Sequence, residues 1–270
     1  NLSKIIKNKK VLIVGAGPVG CTIAEILSNK KFNIEIIDSR NHIAGNCYDY
    51  KDKFGILVHK YGPHYFRTNK KRIINYLNKF TKWIPGKYIV NAFVDKKYYD
   101  FPINLNTINK FFNKNFNSSQ AKSFINKISL KNKNKKNFET YLTSTIGIKL
   151  YKKFYKNYTI KQWGINPRLI NESVAKRIPL KFNKNKDYIL SKFKLMPKYG
   201  FTEMFKKMIS KKNIKIKLKK KYKFSEKDLK KFNFIIYTGP IDAFYDYRFG
   251  KLGWRSLKFK FKTFKQKYKQ

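Results

Sequence analysis

Cysteine is almost absent from this chain of 270 residues, which contains only Cys21 and Cys47. Two cysteines cannot supply the disulfide framework of a small secreted domain, and neither lies in a CxxC or another zinc-ligand spacing. Each is predicted to be an ordinary buried thiol, because no base can be assigned to it from the sequence. A reduced, cytoplasmic setting is therefore expected.

Long hydrophobic runs are missing as well. The longest uncharged stretch, residues 11–24, contains three glycines and a proline and is too short to cross a bilayer. The N-terminus is basic but lacks the apolar segment and small-residue cleavage site of a secretory signal. We expect neither membrane insertion nor secretion.

Acidic residues are scarce: 15 Asp and Glu stand against 63 Lys and Arg, and the formal net charge is +48. Such a balance is typical of proteins that bind nucleic acid or an anionic membrane. The lysines are nevertheless spread along the whole chain, and 42% hydrophobic residues are enough to form a core. We expect no nucleic-acid partner, although a basic nucleic-acid-binding protein on a dinucleotide fold stays as an alternative.

A glycine-rich turn between a strand and a helix is the strongest local pattern. The β-branched run VLIV at residues 11–14 is followed by GAGPVG at residues 15–20 and by a helix-like stretch over residues 21–27. A second apolar run over residues 33–37 ends in Asp38, close to where a dinucleotide fold places its ribose carboxylate. The whole unit favours a dinucleotide over a glycine turn without a ligand.

Each glycine of this turn has a physical role. Gly15 permits the turn, Gly17 lets the backbone approach a pyrophosphate, and Gly20 allows close packing of helix on strand. The fingerprint alone does not separate NAD(P) from FAD. Residues 40–46 follow the second strand directly, where flavoproteins often place a second loop against the cofactor diphosphate.

The later segments predict that the cofactor domain is discontinuous. Residues 103–158 have a helical, Lys/Asn-rich character, with a solvated loop over residues 131–136. A further helix is predicted over residues 201–210. Alternating Lys and Ile over residues 213–218 predict an edge strand, and residues 234–242 predict a late strand of the same sheet, ending in a glycine turn.

Two segments concentrate ring-bearing side chains. Residues 59–66 contain His59 and His64, which are too few and too far from acidic residues to predict a metal site. A pair of histidines satisfied in a turn is the simpler interpretation. Residues 154–164 contain aromatic and polar side chains that suit either a platform for a base or sugar ring or a protein core, and composition leaves both open.

Seven motifs, in order along the chain, resemble those of the UDP-galactopyranose mutase family. They are GAGPVG at residue 15, RNHIAGN at 40, HKYGPHYF at 59, FPINLNT at 101, YTIKQWG at 158, KRIP at 176 and YTGPIDAFYDYRFG at 237. The glycine motif is weakly specific, whereas the segments at 59, at 160–164 and at 238–250 are much more so. The resemblance implies an α/β fold: a discontinuous, Rossmann-like FAD-binding domain with a helical insertion and a small antiparallel sheet domain.

The resemblance also implies domain boundaries and an activity. The implied domains are an FAD-binding domain over residues 1–84 and 197–245, a helical substrate-binding domain over 102–170, and an antiparallel sheet domain over 85–101, 171–196 and 246–270. The implied reaction interconverts UDP-galactopyranose and UDP-galactofuranose through attack of N5 of reduced FAD on the anomeric carbon. An FAD-dependent oxidoreductase with the amine-oxidase-like fold is the alternative enzyme, and a homodimer is compatible with the family.

Individual roles follow from the same resemblance. The cofactor-binding residues it implies are Gly15, Gly17, Val19, Gly20, Asp38, Ser39, Asn46, His64 and Tyr65, with His64 near the isoalloxazine. The substrate-binding residues it implies are Phe154, Tyr158, Thr159, Trp163, Arg177, Tyr188 and Arg248, the last of them near the cofactor. Arg177 and His64 are the catalytic candidates, and an arginine suits bidentate pairing with a diphosphate.

Three departures from the family pattern bear on activity. Asp38 stands where glutamate is common, and Ala44 stands where glycine is frequent. Family members also continue beyond the position of Gln270, with a second diphosphate arginine and tyrosines near the sugar phosphate. From this we expect the chain to be shortened at its C-terminus and impaired in activity.

Overall fold

The computed structural model describes residues 9–86, 88–131, 134–188, 190–254 and 256–264. The chain divides into two compact units, Asn1–Gly86 with Lys192–Gln270 and Lys87–Ser191. The first unit is thus built from two separate stretches of sequence. The division into three domains is not tested by this structure and stays a prediction.

The strands of the described residues are, in chain order, β1 (Lys10–Val14), β2 (Asn33–Ile37), β3 (Asp49–Lys51), β4 (Leu57–His59), β5 (Phe66–Thr68), β6 (Trp83–Pro85), β7 (Val90–Val94), β8 (Lys97–Phe101), β9 (Phe193–Pro197), β10 (Ile214–Lys217) and β11 (Phe234–Tyr237). The helices are α1 (Pro18–Asn29), α2 (Lys71–Leu77), α3 (Leu105–Phe112), α4 (Ser118–Ile128), α5 (Phe138–Ile146), α6 (Ile148–Leu150), α7 (Asn157–Trp163), α8 (Glu172–Ala175), α9 (Phe201–Ile209), α10 (Glu226–Lys231) and α11 (Ile241–Phe244). A π-helix, Tyr151–Lys156, joins α6 to α7, and short 3₁₀ turns lie at Gly45–Cys47 and Pro167–Leu169.

A four-stranded parallel sheet forms the centre of the first unit, in the order β10-β2-β1-β11. Val11 and Ile13 of β1 and Ile36 of β2 are fully buried, as expected for strands covered on both faces. Lys215 and Lys217 of β10 are exposed at the sheet edge, where lysine discourages pairing with another chain. The predicted strand, turn, helix and edge strand are confirmed.

Helices α1 and α9 pack together against this sheet. The core beneath them contains Ala24 of α1 and Met208 of α9, both fully buried. Both cysteines are free; Cys21 is buried as predicted, whereas Cys47 is only partly buried. Burial raises the pKa of Cys21 to about 12 and that of Cys47 to about 11, so neither is a thiolate at neutral pH.

Small antiparallel sheets complete the first unit. Strands β3 and β4 form a hairpin, and β9 lies between β5 and β6 in a three-stranded sheet. The α/β class with small antiparallel sheets is therefore confirmed. Residues 256–264, predicted to belong to an antiparallel sheet, form no strand in the structure as described.

The second unit is helical and carries the β7-β8 hairpin. Its many asparagines serve as helix caps: Asn104, Asn117 and Asn137 accept hydrogen bonds from backbone N–H groups in the first turns of α3, α4 and α5. A core of apolar side chains, including the fully buried Ile108 and Ile125, holds these helices together.

The predicted loop at 131–136 falls partly outside the described residues. In the part of the chain that the structure describes, no helix is both long and apolar enough to cross a membrane.

Glu25 of α1 makes the first unit sensitive to acid. Burial alone would raise the pKa of this carboxyl, but hydrogen bonds from Tyr76, Asn29 and Lys211 outweigh burial and lower the pKa. A group whose pKa is depressed in the folded state stabilises the fold above its unfolded pKa, and this contribution is lost as the pH falls through the folded value.

Glu25→Gln is therefore expected to lower the free energy of unfolding by about 1–3 kcal/mol at pH 7 and to reduce the loss of stability on acidification below about pH 4.5. Urea unfolding at pH 7 and at pH 4 measures both effects. The exposed Glu226 gives a matched control, Glu226→Gln. Equal effects of the two substitutions would contradict the prediction.

Candidate functional site

An open cleft of about 640 Å³ lies at the carboxyl ends of β1, β2 and β11. Open parallel sheets bind ligands at this edge. Its walls comprise Val14, Gly15, Gly17, Pro18, Ile37, Asp38, Ser39, Arg40, Gly45, Asn46, Cys47, Lys220, Lys221, Tyr222, Tyr237, Thr238, Gly239, Pro240, Ala243 and Tyr247. The cleft wall thus combines glycine backbone with the positively charged side chains of Arg40, Lys220 and Lys221.

Two glycines face each other in this cleft. A Cβ added to Gly45 would lie 3.0 Å from the Cα of Gly17, so side chains there would crowd the approach of one loop to the other. Gly17 also precedes α1, whose first turn has no side-chain cap and no acidic residue. The unpaired N–H groups and the helix dipole leave this end ready for a phosphate. The cleft therefore fits the diphosphate of a dinucleotide.

Asp38 ties the two loops of the cleft to each other. One carboxylate oxygen accepts a hydrogen bond from the backbone N–H of Ala16 at 2.8 Å, and the other accepts one from the N–H of Arg40, also at 2.8 Å. A carboxylate offers roughly four acceptor positions. Asp38 can therefore shape the cleft and still accept from a ribose hydroxyl.

Ala44 adopts the left-handed backbone conformation, with φ of 69°. Its side chain is fully buried, and its N–H donates to the carbonyl of Ala16 at 2.8 Å. This conformation favours glycine. The departure from the family pattern at Ala44 is thus a real backbone constraint beside the cleft.

Arg40 is a cleft residue to which the sequence analysis assigned no individual role. Its Nη1 atom is buried and has no hydrogen-bond partner among the described residues. A buried guanidinium nitrogen without a partner is costly, and its place in the cleft wall suits an anionic ligand. Its position two residues after Asp38, within the loop expected near the diphosphate, was the signal that could have identified it.

The predicted cofactor residues do not all lie in the cleft. Gly15, Gly17, Asp38, Ser39 and Asn46 line the cleft. Gly20 is buried beneath it, and Val19 is 59% exposed at the start of α1. His64 and Tyr65 line a separate, mainly apolar cavity of about 760 Å³, whose walls include Pro18 and Cys47 of the cleft.

His64 sits in a turn with His59. Its backbone N–H donates to Nδ1 of His59 at 3.4 Å, and its own Nδ1 lies 2.8 Å from the carbonyl oxygen of Gly62. The interpretation as a pair satisfied within a turn therefore agrees with the structure. Among the residues described, no group of three or more His, Cys, Asp or Glu side chains could hold a metal ion.

A cavity of about 640 Å³ in the second unit gathers the predicted nucleotide-sugar residues. Phe154, Tyr158, Thr159, Trp163 and Tyr188 all line it. Four of them lie on the continuous helical stretch formed by the π-helix and α7, and the fold adds Tyr188 from the segment just before residue 189. Tyr155, from the same aromatic segment, also lines this cavity but was not predicted individually.

The aromatic segment contributes both to the core of the second unit and to the lining of the cavity. Phe154 and Tyr155 are 6% and 4% exposed and belong to the core of the second unit. Their rings make edge-on or tilted contacts with Tyr99 at 5.3 Å and Phe101 at 5.5 Å. Tyr158, in contrast, is 66% exposed. The cavity is thus lined both by buried aromatic rings, those of Phe154 and Tyr155, and by the exposed ring of Tyr158.

The two predicted arginines lie on different units. Arg177 is exposed in the turn after α8, next to Ile178 of the cavity wall. It makes no hydrogen bond or ion pair with any described residue. Arg248 belongs to the first unit and lies over the rings of Tyr245 and Phe249 at 4.8 and 4.7 Å. Nothing in the structure tests the role predicted for either one.

Comparison with known proteins gives a consistent set of relatives. The sequence model of the UDP-galactopyranose mutase family matches residues 153–270, and that of the NAD(P)-binding Rossmann-like domain matches residues 13–80. The chain is 38% identical over 265 residues to the protein named "Probable UDP-galactopyranose mutase" of Klebsiella pneumoniae, a match that covers 97% of the chain and 68% of that protein. It is likewise 38% identical to the dTDP-fucopyranose mutase of Escherichia coli, with 93% of the chain and 68% of that protein covered.

A solved structure gives the same fold. The crystal structure of a reduced UDP-galactopyranose mutase matches 78% of this chain and 49% of that chain, with a TM-score of 0.59 and 17% identity. The chain thus spans about two thirds of the length of the curated relatives and about half of the solved one. Because the chain is 38% identical to the Klebsiella pneumoniae protein and matches 68% of its length, the chain belongs to the UDP-galactopyranose mutase family.

Proposed function

We propose that this chain binds FAD in its first unit and a nucleotide sugar in its second, and that it serves the interconversion of UDP-galactopyranose and UDP-galactofuranose. The observation that carries the proposal is the cavity of the second unit, where Phe154, Tyr158, Thr159, Trp163 and Tyr188 meet. The family resemblance assigned all five residues to the nucleotide sugar, and all five line this one cavity.

FAD is the cofactor that the family and the fold indicate. When bound and reduced, it supplies the nucleophile for the anomeric carbon of the sugar. The chain would contribute the half-buried backbone of Gly17 and Gly45, the N-terminus of α1 and the buried Nη1 of Arg40. These groups stabilise two phosphate charges without an enclosing side-chain cage.

The residues of the second unit suit the binding of the nucleotide sugar. Aromatic rings offer flat faces to a uracil or a sugar ring, and the buried hydroxyl of Thr159 can fix orientation by hydrogen bonding. Arg177 is exposed and directly precedes Ile178 of the cavity wall. In the proposed role it pairs with the diphosphate that departs as the sugar is attacked, which lowers the barrier by stabilising developing charge.

The test is an isomerisation assay on protein loaded with FAD and reduced with dithionite. Because the shortened chain is expected to be impaired, we expect slow conversion of UDP-galactofuranose to UDP-galactopyranose, with the two separated by chromatography, and no conversion with oxidised FAD. Absence of any UDP-galactopyranose after incubation with a protein that holds reduced FAD would contradict the proposed reaction. Consumption of oxygen with an amine substrate would favour the oxidoreductase alternative.

A second nucleotide sugar belongs in the same assay. Because the dTDP-fucopyranose mutase is as similar in identity as the Klebsiella protein, dTDP-fucopyranose is the second candidate substrate. The ratio of kcat/KM for the two nucleotide sugars decides between them. A cytoplasmic setting and a homodimer remain parts of the same proposal.

A further inference from the structure

Arg40 is held in the cleft wall by an aromatic ring. Its guanidinium carbon lies 5.0 Å from the centre of the Tyr61 ring, within the range of a cation–π contact. Its backbone N–H is fixed by Asp38 and its carbonyl accepts from the N–H of Lys219, each at 2.8 Å. Both the backbone and the end of this side chain are therefore restrained.

Tyr61 is itself fixed by a buried histidine. The Tyr61 hydroxyl lies 2.8 Å from Nε2 of His42, and Nδ1 of His42 lies 2.8 Å from the carbonyl oxygen of Ile43. A carbonyl only accepts, so Nδ1 carries the proton, and in the neutral ring Nε2 accepts from the tyrosine hydroxyl. His42 is 7% exposed and stacks on Tyr48 with ring centres 3.9 Å apart. Its orientation is thus determined by packing and by hydrogen bonds.

Burial and the neighbouring positive charges favour the neutral form of His42. Burial lowers its pKa, and the positive charges of Arg40 and Lys60 lower it further, against the opposing effects of the Ile43 carbonyl and Asp38. A neutral His42 preserves the hydrogen bond from Tyr61 in the direction described. The chain of contacts from Ile43 through His42 and Tyr61 ends at Arg40, whose Nη1 has no partner in the described structure.

We propose that His42 and Tyr61 are positioning residues that hold the Arg40 guanidinium ready for the anionic part of the dinucleotide. The inference rests on the proposed function, because it needs FAD to bind in this cleft. Preorganisation of this kind raises affinity, because the entropy cost of ordering the long Arg40 side chain is then not incurred when the ligand binds. Neither Tyr61 nor His42 is among the residues lining the cleft, so their effect is expected to pass through Arg40.

A double-mutant cycle on FAD affinity tests this dependence. Titration of FAD-free full chain with FAD, followed by flavin fluorescence, gives a dissociation constant for the wild type, Arg40→Ala, Tyr61→Leu and the double variant. We expect Arg40→Ala to weaken binding about 30-fold and Tyr61→Leu about 10-fold. The double variant should bind no more weakly than Arg40→Ala alone, because Tyr61 has no target left to position.

Two further variants exclude a general loss of structure. Tyr50 stacks on Tyr48, with ring centres 6.0 Å apart, and is more exposed than Tyr61. Tyr50→Leu makes the same substitution at a neighbouring ring and should leave FAD affinity unchanged. Tyr61→Phe keeps the ring and removes only the hydroxyl that meets His42, so it tests the same coupling if Tyr61→Leu does not fold. We expect it to weaken binding about threefold in the wild type and not at all in the Arg40→Ala background.

The outcomes separate the two proposals. If the wild type fails to bind FAD, the proposed function fails. If the wild type binds FAD but Arg40→Ala binds equally well, or if the losses at Arg40 and Tyr61 multiply in the double variant to about 300-fold, the positioning role is wrong.

Discussion

Replacement of Gly20 by alanine is expected to destabilise the first unit by about 3 kcal/mol or more and to abolish FAD binding. A Cβ at this position would lie 1.9 Å from the carbonyl oxygen of Gly15 and 3.3 Å from Cγ2 of Ile13. The obstacle is backbone, and the N–H of Gly15 is itself bonded to the carbonyl of Ile37 at 2.8 Å. Relief therefore requires moving α1 away from β1, which opens the core and displaces the glycine turn.

Urea unfolding and FAD titration measure the two effects of Gly20→Ala. Gly253 supplies the matched control, since a Cβ there meets nothing within 4 Å and its backbone does not need the left-handed conformation. Gly253→Ala should leave both stability and FAD affinity within the error of the measurements. Wild-type stability in Gly20→Ala would show that the close contact of α1 with β1 is not needed.

In a version of the protein extended to the full length of its relatives, Arg177→Ala is expected to reduce kcat about 100-fold and to leave the dissociation constant of FAD unchanged. Removal of one charged donor to a leaving group typically costs catalysis two to three orders of magnitude. Arg177 is exposed in the second unit, whereas the dinucleotide cleft is in the first. The substitution should therefore separate substrate turnover from cofactor binding.

Two substitutions at the same turn sharpen this test. Lys176→Ala removes a neighbouring cation that is already paired with Glu172 at 3.2 Å, and it should change kcat less than about threefold, since exposed pairs of this kind contribute little. Arg177→Lys keeps the charge but loses bidentate geometry, so an intermediate kcat is expected. If all three variants turn over like the wild type, Arg177 has no part in the reaction.

Local sequence was sufficient for the elements whose signals are local. The β1 strand, the glycine turn and α1 follow from a β-branched run, three glycines and an apolar helix face within 20 residues of one another. The alternation of Lys and Ile is also a local signal, and it predicted β10 as an edge strand. Motif resemblance then pointed to the five residues of the second-unit cavity, although composition alone did not separate a binding platform from a core.

The residues that sequence reasoning missed depend on contacts between distant segments. The roles of Arg40 and His42 become visible only when Tyr61, two strands further along, is brought beside them. The π-helix at Tyr151–Lys156 has no sequence signal that distinguishes it from an α-helix. Tyr155 is fixed by that helix against Phe101, so its place in the cavity follows from packing rather than from spacing.

The pairing of β1 with both β2 and β11 has a consequence for how the chain folds. One neighbour of β1 follows within a few tens of residues, but the other pairs at a sequence separation of 223. Contacts between such distant segments form slowly because a long loop must close first. During synthesis, one edge of β1 is therefore expected to stay unpaired until β11 has been made. The second unit is a single continuous segment, and its synthesis is complete before that of β11. We therefore expect the second unit to complete its folding before the first, although the first unit begins earlier along the chain.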